Sequence, residues 1–246
     1  MMSDMPLPTR WDREHYQQLI HWLQGQADDG YRQFHQKILA DADTPLLGVR
    51  APVLQAAARQ IAAGDWRGFV DCSADGTQEE TVLCGLVLGR ATAKELDDIA
   101  RQYIEAYIPR IHNWAQCDSF CSHCKGLKKD LDYTLSLCAR LADQPDPWQV
   151  RVAVVLCMTY LLADSHRSRA LALCAQIHRE HYYVQMALAW FYATAYLYDP
   201  DYVVELLQGG ALDDLTHQKT ISKLCDSFRV SSDDKQMLRT LRRKKK

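Results

Sequence analysis

Glycine and proline are scarce in this sequence, with 11 and 8 occurrences among 246 residues. They fall at the boundaries between apolar stretches, where residues that break helices are expected. The alternation of apolar and polar residues that marks half-buried strands is nearly absent. Only residues 150–156 are rich in β-branched side chains, and Pro147 just before them suits the first turn of a helix. These absences argue against sheet-based folds and predict an all-α protein.

An excess of basic charge, a secretion signal and a membrane segment are absent as well. The net charge of −2 excludes a globally basic surface for nucleic acid, although residues 239–246 carry six positive charges. No apolar run approaches the ~20 residues of a membrane span, and the first residues lack the pattern of a secretion signal. The nine cysteines are odd in number and scattered through apolar stretches, as reduced buried thiols are. We therefore expect a cytoplasmic protein that does not associate with membranes.

Apolar residues at helical spacing predict about fourteen helices separated by short polar turns. They centre on residues 12–24, 28–40, 51–63, 65–73, 77–92, 94–107, 113–124, 128–142, 147–162, 166–178, 182–198, 200–208, 213–228 and 232–243. From about residue 77 the helices form pairs that repeat roughly every 35–40 residues, near the period of HEAT units. No linker divides the chain, so we expect one domain over residues 1–246, with flexible ends at 1–11 and 240–246. The pattern predicts an α-solenoid of HEAT-like helical hairpin repeats, whose concave face would suit an extended partner.

Motifs for nucleotide binding and nucleophilic catalysis are missing, since there is no Walker loop, Rossmann fingerprint or nucleophile elbow. Cys117, Cys121 and Cys124 do match the spacing of the radical-SAM iron–sulfur motif. The same positions follow i, i+4, i+7 spacing, so they also line one helix face as small apolar residues do. A zinc site that adds His123 to these thiols is disfavoured, because structural zinc sites lie on turns. We predict no metal and no cofactor, with the iron–sulfur and zinc sites as alternatives.

Trp114 and Asp118 are four residues apart, which places an indole and a carboxylate on one helix face, one turn apart. Asn113 is the expected N-cap of this helix, with Gln116 at the third position of a capping-box variant. A carboxylate on an apolar face is either paired with a cation or kept for function. Arg151, alone among apolar residues in its own helix, is the candidate partner and could also reach a phosphate.

Trp190 lies in the middle of residues 182–198, a segment that is apolar nearly all round. Such a helix is typical of a protein interior. Composition alone therefore favours a core tryptophan at this position.

Four short fragments, in this order along the chain, give the sequence a likeness to a known family. They are residues 47–54 (LGVRAPVL), 113–119 (NWAQCDS), 148–153 (WQVRVA) and 182–190 (YYVQMALAW). The chain resembles the AlkD-like DNA alkylation repair family, DNA glycosylases built from HEAT-like helical repeats, over most of its length. The resemblance implies excision of cationic N3- or N7-alkylated purines from double-stranded DNA, by a protein that works as a monomer.

The resemblance also implies roles for individual residues in a concave cleft with basic and aromatic walls. Trp114 and Asp118 match the pair that packs on the lesion nucleotide, and Trp190 matches the second aromatic of the cleft. Asp118 would stabilise the oxocarbenium-like transition state, with the indoles adding cation–π attraction. Arg151 matches the arginine that holds the DNA backbone nearby. The further candidates for DNA binding are Lys125, Lys128, Lys129, Lys219 and Lys223.

Three positions depart from the family pattern, because Gln55, Met186 and Ala193 stand where the resemblance suggests basic residues. Together with the negative net charge, they leave two alternatives open. One is a HEAT-like DNA-binding protein without catalytic activity. The other is a protein-interaction scaffold in which Asp118 and Arg151 form a structural ion pair.

Overall fold

A computed structural model describes residues 5–39 and 44–243, and in these ranges the chain forms fourteen α-helices and no strand. The helices are α1 (Arg13–Gln24), α2 (Asp29–Ile38), α3 (Ala51–Ile61), α4 (Trp66–Cys72), α5 (Gln78–Thr92), α6 (Asp98–Tyr107), α7 (Trp114–His123), α8 (Leu131–Ala142), α9 (Pro147–Leu156), α10 (Arg167–Ala175), α11 (Tyr182–Ala195), α12 (Pro200–Gln208), α13 (Asp214–Asp226) and α14 (Ser232–Thr240). The prediction of an all-α protein is confirmed, and each predicted helix corresponds to one of these fourteen.

Within the described ranges, no helix combines the length and the apolar character that crossing a membrane requires. The flexible ends expected at residues 1–11 and 240–246 fall in part on residues 1–4 and 244–246, which lie outside the described residues.

The chain divides into two compact units, residues 1–130 and 131–246. In the first unit α3, α5 and α7 pack in sequence, with α4 and α6 against α5. In the second unit α8 packs on α9, α9 on α11, and α11 on α13. From α5 to α13, every second helix begins 32 to 36 residues after the previous one. This spacing is slightly shorter than the repeat of 35–40 residues that the sequence predicts. That the whole chain forms a single domain stays a prediction.

Helix α5 is central to the first unit because nearly all of its residues are buried between α3 and α7. Thr77 caps its first turn by accepting a hydrogen bond from the N–H of Glu80 (3.3 Å). Gly89 lets the end of α7 come close, since a Cβ at this position would lie 2.7 Å from the carbonyl oxygen of His123. A helix flanked on both sides needs no continuous polar stripe, which explains its apolar middle.

The β-branched segment at residues 150–156 is helical, as predicted. Asp146 caps α9 by accepting from the N–H of Trp148, and Pro147 is its first residue. A π-helical turn at Cys157–Leu161 continues α9. Every side chain from Val150 onward in α9 is buried, because α8 and α11 both pack on this helix. Burial on two sides outweighs the low intrinsic helix propensity of valine.

Candidate functional site

A buried amide cluster fixes the N-terminus of α7 to that of α5. Asn113 caps α7 by accepting from the N–H of Gln116 (3.0 Å), as the sequence predicts. The side-chain oxygen of Gln116 accepts in turn from the N–H of His112 (2.8 Å). Asn113 and Gln116 also donate to the side-chain oxygen of Gln78, at 2.7 and 2.9 Å. Because all three amides are buried, the cluster holds α7 in one orientation against α5.

A cavity of about 370 Å³ opens beside this cluster, within the first unit. Trp114 and Asp118 both line it from α7, and both are half-buried. The prediction that this indole and this carboxylate share one helix face is confirmed. We name the space the Trp114–Asp118 cavity. Its other lining residues are Tyr31, His35, Val49, Ala51, Leu54, Gln78, Glu79, Val82, Ala115, Ser119 and Ser122.

Helix α2 supplies a wall of this cavity that the sequence alone did not identify. The rings of Tyr31 and His35, one turn apart on α2, lie 5.2 Å from centre to centre. Burial lowers the pKa of His35, and the negative charge of Glu79 opposes this shift. At neutral pH His35 is therefore a neutral imidazole. The i, i+4 spacing of the two rings was the available signal, but spacing does not show which helix they face.

The buried carboxylate of Glu79 ties the turn before α3 to the cavity. Its two oxygens accept hydrogen bonds from the N–H groups of Leu47, Gly48 and Val49, at 2.9, 2.7 and 3.1 Å. Gly48 has a φ of +92°, and a Cβ there would lie 2.7 Å from that of Arg32. Successive N–H groups in such a turn form a nest that binds an anion. The nest places Val49 and the start of α3 at the cavity.

In the second unit the candidate residues Arg151 and Trp190 differ in exposure. Arg151 on α9 is only 5% exposed, and its Nη1 donates to the carbonyl oxygen of Tyr183 (2.5 Å). Trp190 on α11 is 39% exposed, so the interpretation of it as a core residue is wrong. The Nζ of Lys223 lies 6.0 Å from the centre of the Trp190 ring, at the outer limit of a cation–π contact. Helix α11 thus buries Phe191 and leaves part of the Trp190 side chain exposed.

The lysines that sequence reasoning selected occur in both units. Three exposed lysines lie on a 3₁₀ turn after α7, and these are Lys125, Lys128 and Lys129. The Nζ of Lys129 donates to the carbonyl oxygen of Lys94 (2.6 Å), which anchors this turn near the end of α5. Lys219 and Lys223 lie half-buried on α13. Each unit therefore offers basic side chains of its own.

The cysteines with radical-SAM-like spacing are packed inside the first unit. Cys117, Cys121 and Cys124 are fully buried along α7 and at its end. Burial raises the pKa of Cys121, and it raises the pKa of Cys124 to about 12, so both thiols stay protonated. Across the part of the chain that the structure describes, no group of three His, Cys, Asp or Glu side chains is placed to hold a metal ion. The three cysteines fit the interpretation of small apolar residues on one helix face.

The chain matches a known protein family over a range that includes most of both units. A family model described as DNA alkylation repair enzyme matches residues 18–225. The matched range includes Trp114 and Asp118 in the first unit, and Arg151 and Trp190 in the second. A search of curated proteins gives no match.

Proposed function

This chain belongs to the DNA alkylation repair enzyme family, and from that premise we propose that it is a DNA glycosylase of alkylated purines. Its substrates are N3- and N7-alkylated purines in double-stranded DNA, whose bases carry a positive charge. The observation that carries this proposal is the presence of Trp114 and Asp118 together on one wall of an open cavity. An indole face and a carboxylate in this arrangement attract a positive charge that develops between them.

The reaction is hydrolysis of the N-glycosidic bond. The bond between C1′ of the deoxyribose and the purine breaks, and its electron pair neutralises the cationic base, which departs. Positive charge builds on the sugar in an oxocarbenium-like state, and water then adds to C1′ and loses a proton to solvent. The carboxylate of Asp118 stabilises the charge on the sugar. Because the leaving group is already cationic, bond cleavage needs no protonation of the base and no metal ion.

The walls of the cavity strengthen this stabilisation. Val49, Leu54 and Val82 add apolar surface to the cavity that Asp118 lines. Near apolar walls the attraction between opposite charges exceeds its value in bulk water. The indole face of Trp114 adds a further ~0.5–2 kcal/mol of cation–π attraction. Neutral purines are poor leaving groups, so selectivity arises partly from the chemistry of the lesion.

We also propose how the rest of the chain serves this activity. In the second unit Trp190 packs on the sugar–phosphate chain, and Arg151 holds the DNA backbone through the small part of its side chain that is exposed. The lysines neutralise phosphates, which favours binding most at low salt. The succession of alternate helices in each unit, with its regular spacing, supports HEAT-like repeats as the scaffold. The protein then acts as a monomer in the cytoplasm.

DNA binding without base release is the second candidate function. Met186 and Ala193 favour it, because they occupy half-buried positions on the same helix as Trp190 where the family pattern suggests basic residues. With fewer phosphate contacts, the protein would bind a duplex with lower affinity.

Quantifying the purines released from methylated DNA tests the proposal. Wild-type protein should release 7-methylguanine or 3-methyladenine faster than the DNA loses them spontaneously. Salt-sensitive DNA binding without release would establish the second candidate instead. No DNA binding at about 50 mM salt, where phosphate contacts are strong, would favour a protein-interaction scaffold.

A further inference from the structure

A second cavity, of about 480 Å³, also lies within the first unit, and its walls are basic side chains and small residues. Arg59 comes from α3, Arg90 from α5, and Lys94 from the turn after α5. His123 and Lys125 come from the end of α7 and the turn that follows it. Among the lining residues that the structure describes there is no carboxylate. We name this space the basic cavity.

Arg90 carries a buried donor that no group of the described residues satisfies. Its Nε is buried and has no hydrogen-bond acceptor within residues 5–39 and 44–243. A buried charged donor without an acceptor is costly. Positive charges that line one cavity also repel one another, and Arg59, Lys94 and Lys125 have no ion-pair partner in the same ranges. A bound anion would offset this repulsion and give the Arg90 guanidinium a counter-charge.

The wall of the basic cavity is held in place by backbone contacts. The absence of a side chain at Gly89 lets α5 approach the end of α7, beside Arg90. Nδ1 of His123 donates to the carbonyl oxygen of Ser119 (2.8 Å), which fixes the ring and leaves Nε2 as its second nitrogen. Lys129, bonded to the Lys94 carbonyl oxygen, adds a further positive charge close by. The backbone of this wall and the His123 ring are therefore fixed before any ligand arrives.

The basic cavity and the Trp114–Asp118 cavity lie along the same helices. On α5, Val82 lines the Trp114–Asp118 cavity and Arg90 lines the basic cavity. Eight residues of helix separate these positions, which corresponds to about 12 Å at the usual rise. Duplex DNA advances about 3.4 Å per base pair along its axis, so for a duplex that runs along α5 this separation spans roughly three to four base pairs.

We propose that the basic cavity binds one phosphate group of the DNA backbone, about three to four base pairs from the lesion. Arg90 and Arg59 are its principal donors. A guanidinium donates two parallel N–H bonds to phosphate oxygens, which sets the position of the strand as well as its affinity. The proposal rests on the glycosylase activity proposed above, and it makes Arg90 a positioning residue that presents the lesion nucleotide to Asp118.

The test is a series of duplexes, each carrying one neutral methylphosphonate at a different distance from an alkylated purine. Wild-type protein should lose affinity about tenfold at one or two of these positions, as expected for one phosphate contact. Arg90→Gln should bind the unmodified duplex about tenfold more weakly and show no further loss at those positions. Arg59→Gln, on a different helix, should behave in the same way and guards against misfolding of a single variant.

Arg67→Gln is the matched control. Arg67 lies on α4 outside the basic cavity, where its Nη2 is 3.4 Å from Asp97, and its substitution removes the same charge from the same unit. It should leave both the affinity and the methylphosphonate profile at their wild-type values. Thermal unfolding of all three variants shows that the comparison is made between folded proteins.

Several results would overturn the proposal. One is that Arg90→Gln binds DNA with the wild-type affinity. Another is that Arg90→Gln still loses affinity at the methylphosphonate positions where wild type does. If inorganic phosphate raises the Tm of wild type while Arg90→Gln leaves the DNA affinity unchanged, the basic cavity is a site for a free anion instead. Base release measured on the same preparations separates the two proposals. If wild type releases bases and Arg90→Gln keeps the wild-type DNA affinity, only the proposed role of the basic cavity is rejected. If Arg90→Gln binds DNA more weakly but wild type never releases bases, only the proposed glycosylase activity is rejected.

Discussion

The carboxylate of Glu79 accepts a 2.7 Å hydrogen bond from the backbone N–H of Gly48. This bond joins the start of α5 to the turn before α3, and the left-handed φ of Gly48 makes the turn possible. Pro52 follows as the second residue of α3, a position that does not require its missing N–H. Residues 47–54, one of the fragments that resemble the family, therefore have a structural role. They hold α3 in place beside the Trp114–Asp118 cavity.

Glu79→Gln should weaken the fold. The amide keeps the shape of the side chain but removes its charge, and it turns one acceptor of backbone N–H groups into a donor. We expect the free energy of unfolding to fall by about 2–4 kcal/mol, measured by urea denaturation. Glu95→Gln, at an exposed position after α5, is the matched control and should change it by less than about 0.5 kcal/mol. Equal effects of the two substitutions would contradict the structural task assigned to Glu79.

Trp190 and Phe191 are adjacent in sequence but differ in environment, which allows a second prediction. Trp190→Ala should lower the free energy of unfolding by about 2 kcal/mol, less than a truncation in the core does, because 39% of Trp190 is exposed. It should nevertheless reduce release of alkylated purines at least about tenfold, the effect of about one lost cation–π contact. Phe191→Ala, in the core of the second unit, should cost about 3–5 kcal/mol of stability. A Trp190→Ala variant as unstable as Phe191→Ala would instead place Trp190 among the packing residues.

His217 should make stability depend on pH. Burial lowers its pKa from the ordinary value of 6.5, and the charge of Arg243 acts in the same direction. The hydrogen bond to the carbonyl oxygen of Leu207 and the charge of Asp214 oppose this shift without cancelling it. Below pH 6.5 the unfolded chain therefore binds more protons at this site than the folded chain does. The free energy of unfolding falls as the pH drops through this window, with a slope of at most about 1.4 kcal/mol per pH unit for one proton.

The measurement is urea denaturation at pH 7 and pH 5 for three proteins. The stability lost between the two pH values should be smaller in His217→Leu than in wild type. His178→Leu removes an exposed histidine and should lose as much as wild type. An identical pH dependence in His217→Leu and wild type would show that this histidine does not titrate differently on unfolding.

Much of the fold could be predicted from the sequence because helix signals are local. Asn113 and Gln116 mark the start of α7 through interactions that span three residues. The shared face of Trp114 and Asp118 follows from helical periodicity alone. These features hold whatever partner α7 packs against, so the sequence was sufficient to predict them.

The other parts of the two cavities depend on packing between helices that are distant in sequence. Arg90 and His123 line one space only because α5 packs on α7. Tyr31 and His35 belong to α2, a helix without a fully buried residue, so its pattern does not reveal a site. The exposure of Trp190 depends on which side of α11 its neighbours leave uncovered. Composition does not show which side of α11 is open to solvent, and for this reason it favoured a buried tryptophan at position 190.

In the proposed reaction, Asp118 stabilises the charge that develops on the sugar. The most direct measurement is the single-turnover rate of 7-methylguanine release from a duplex by wild type and by Asp118→Asn, at saturating protein. We predict that the substitution lowers this rate about 10²–10³-fold, as loss of one transition-state contact does, while the variant binds the duplex at least as tightly. Release by Asp118→Asn at the wild-type rate would contradict the account.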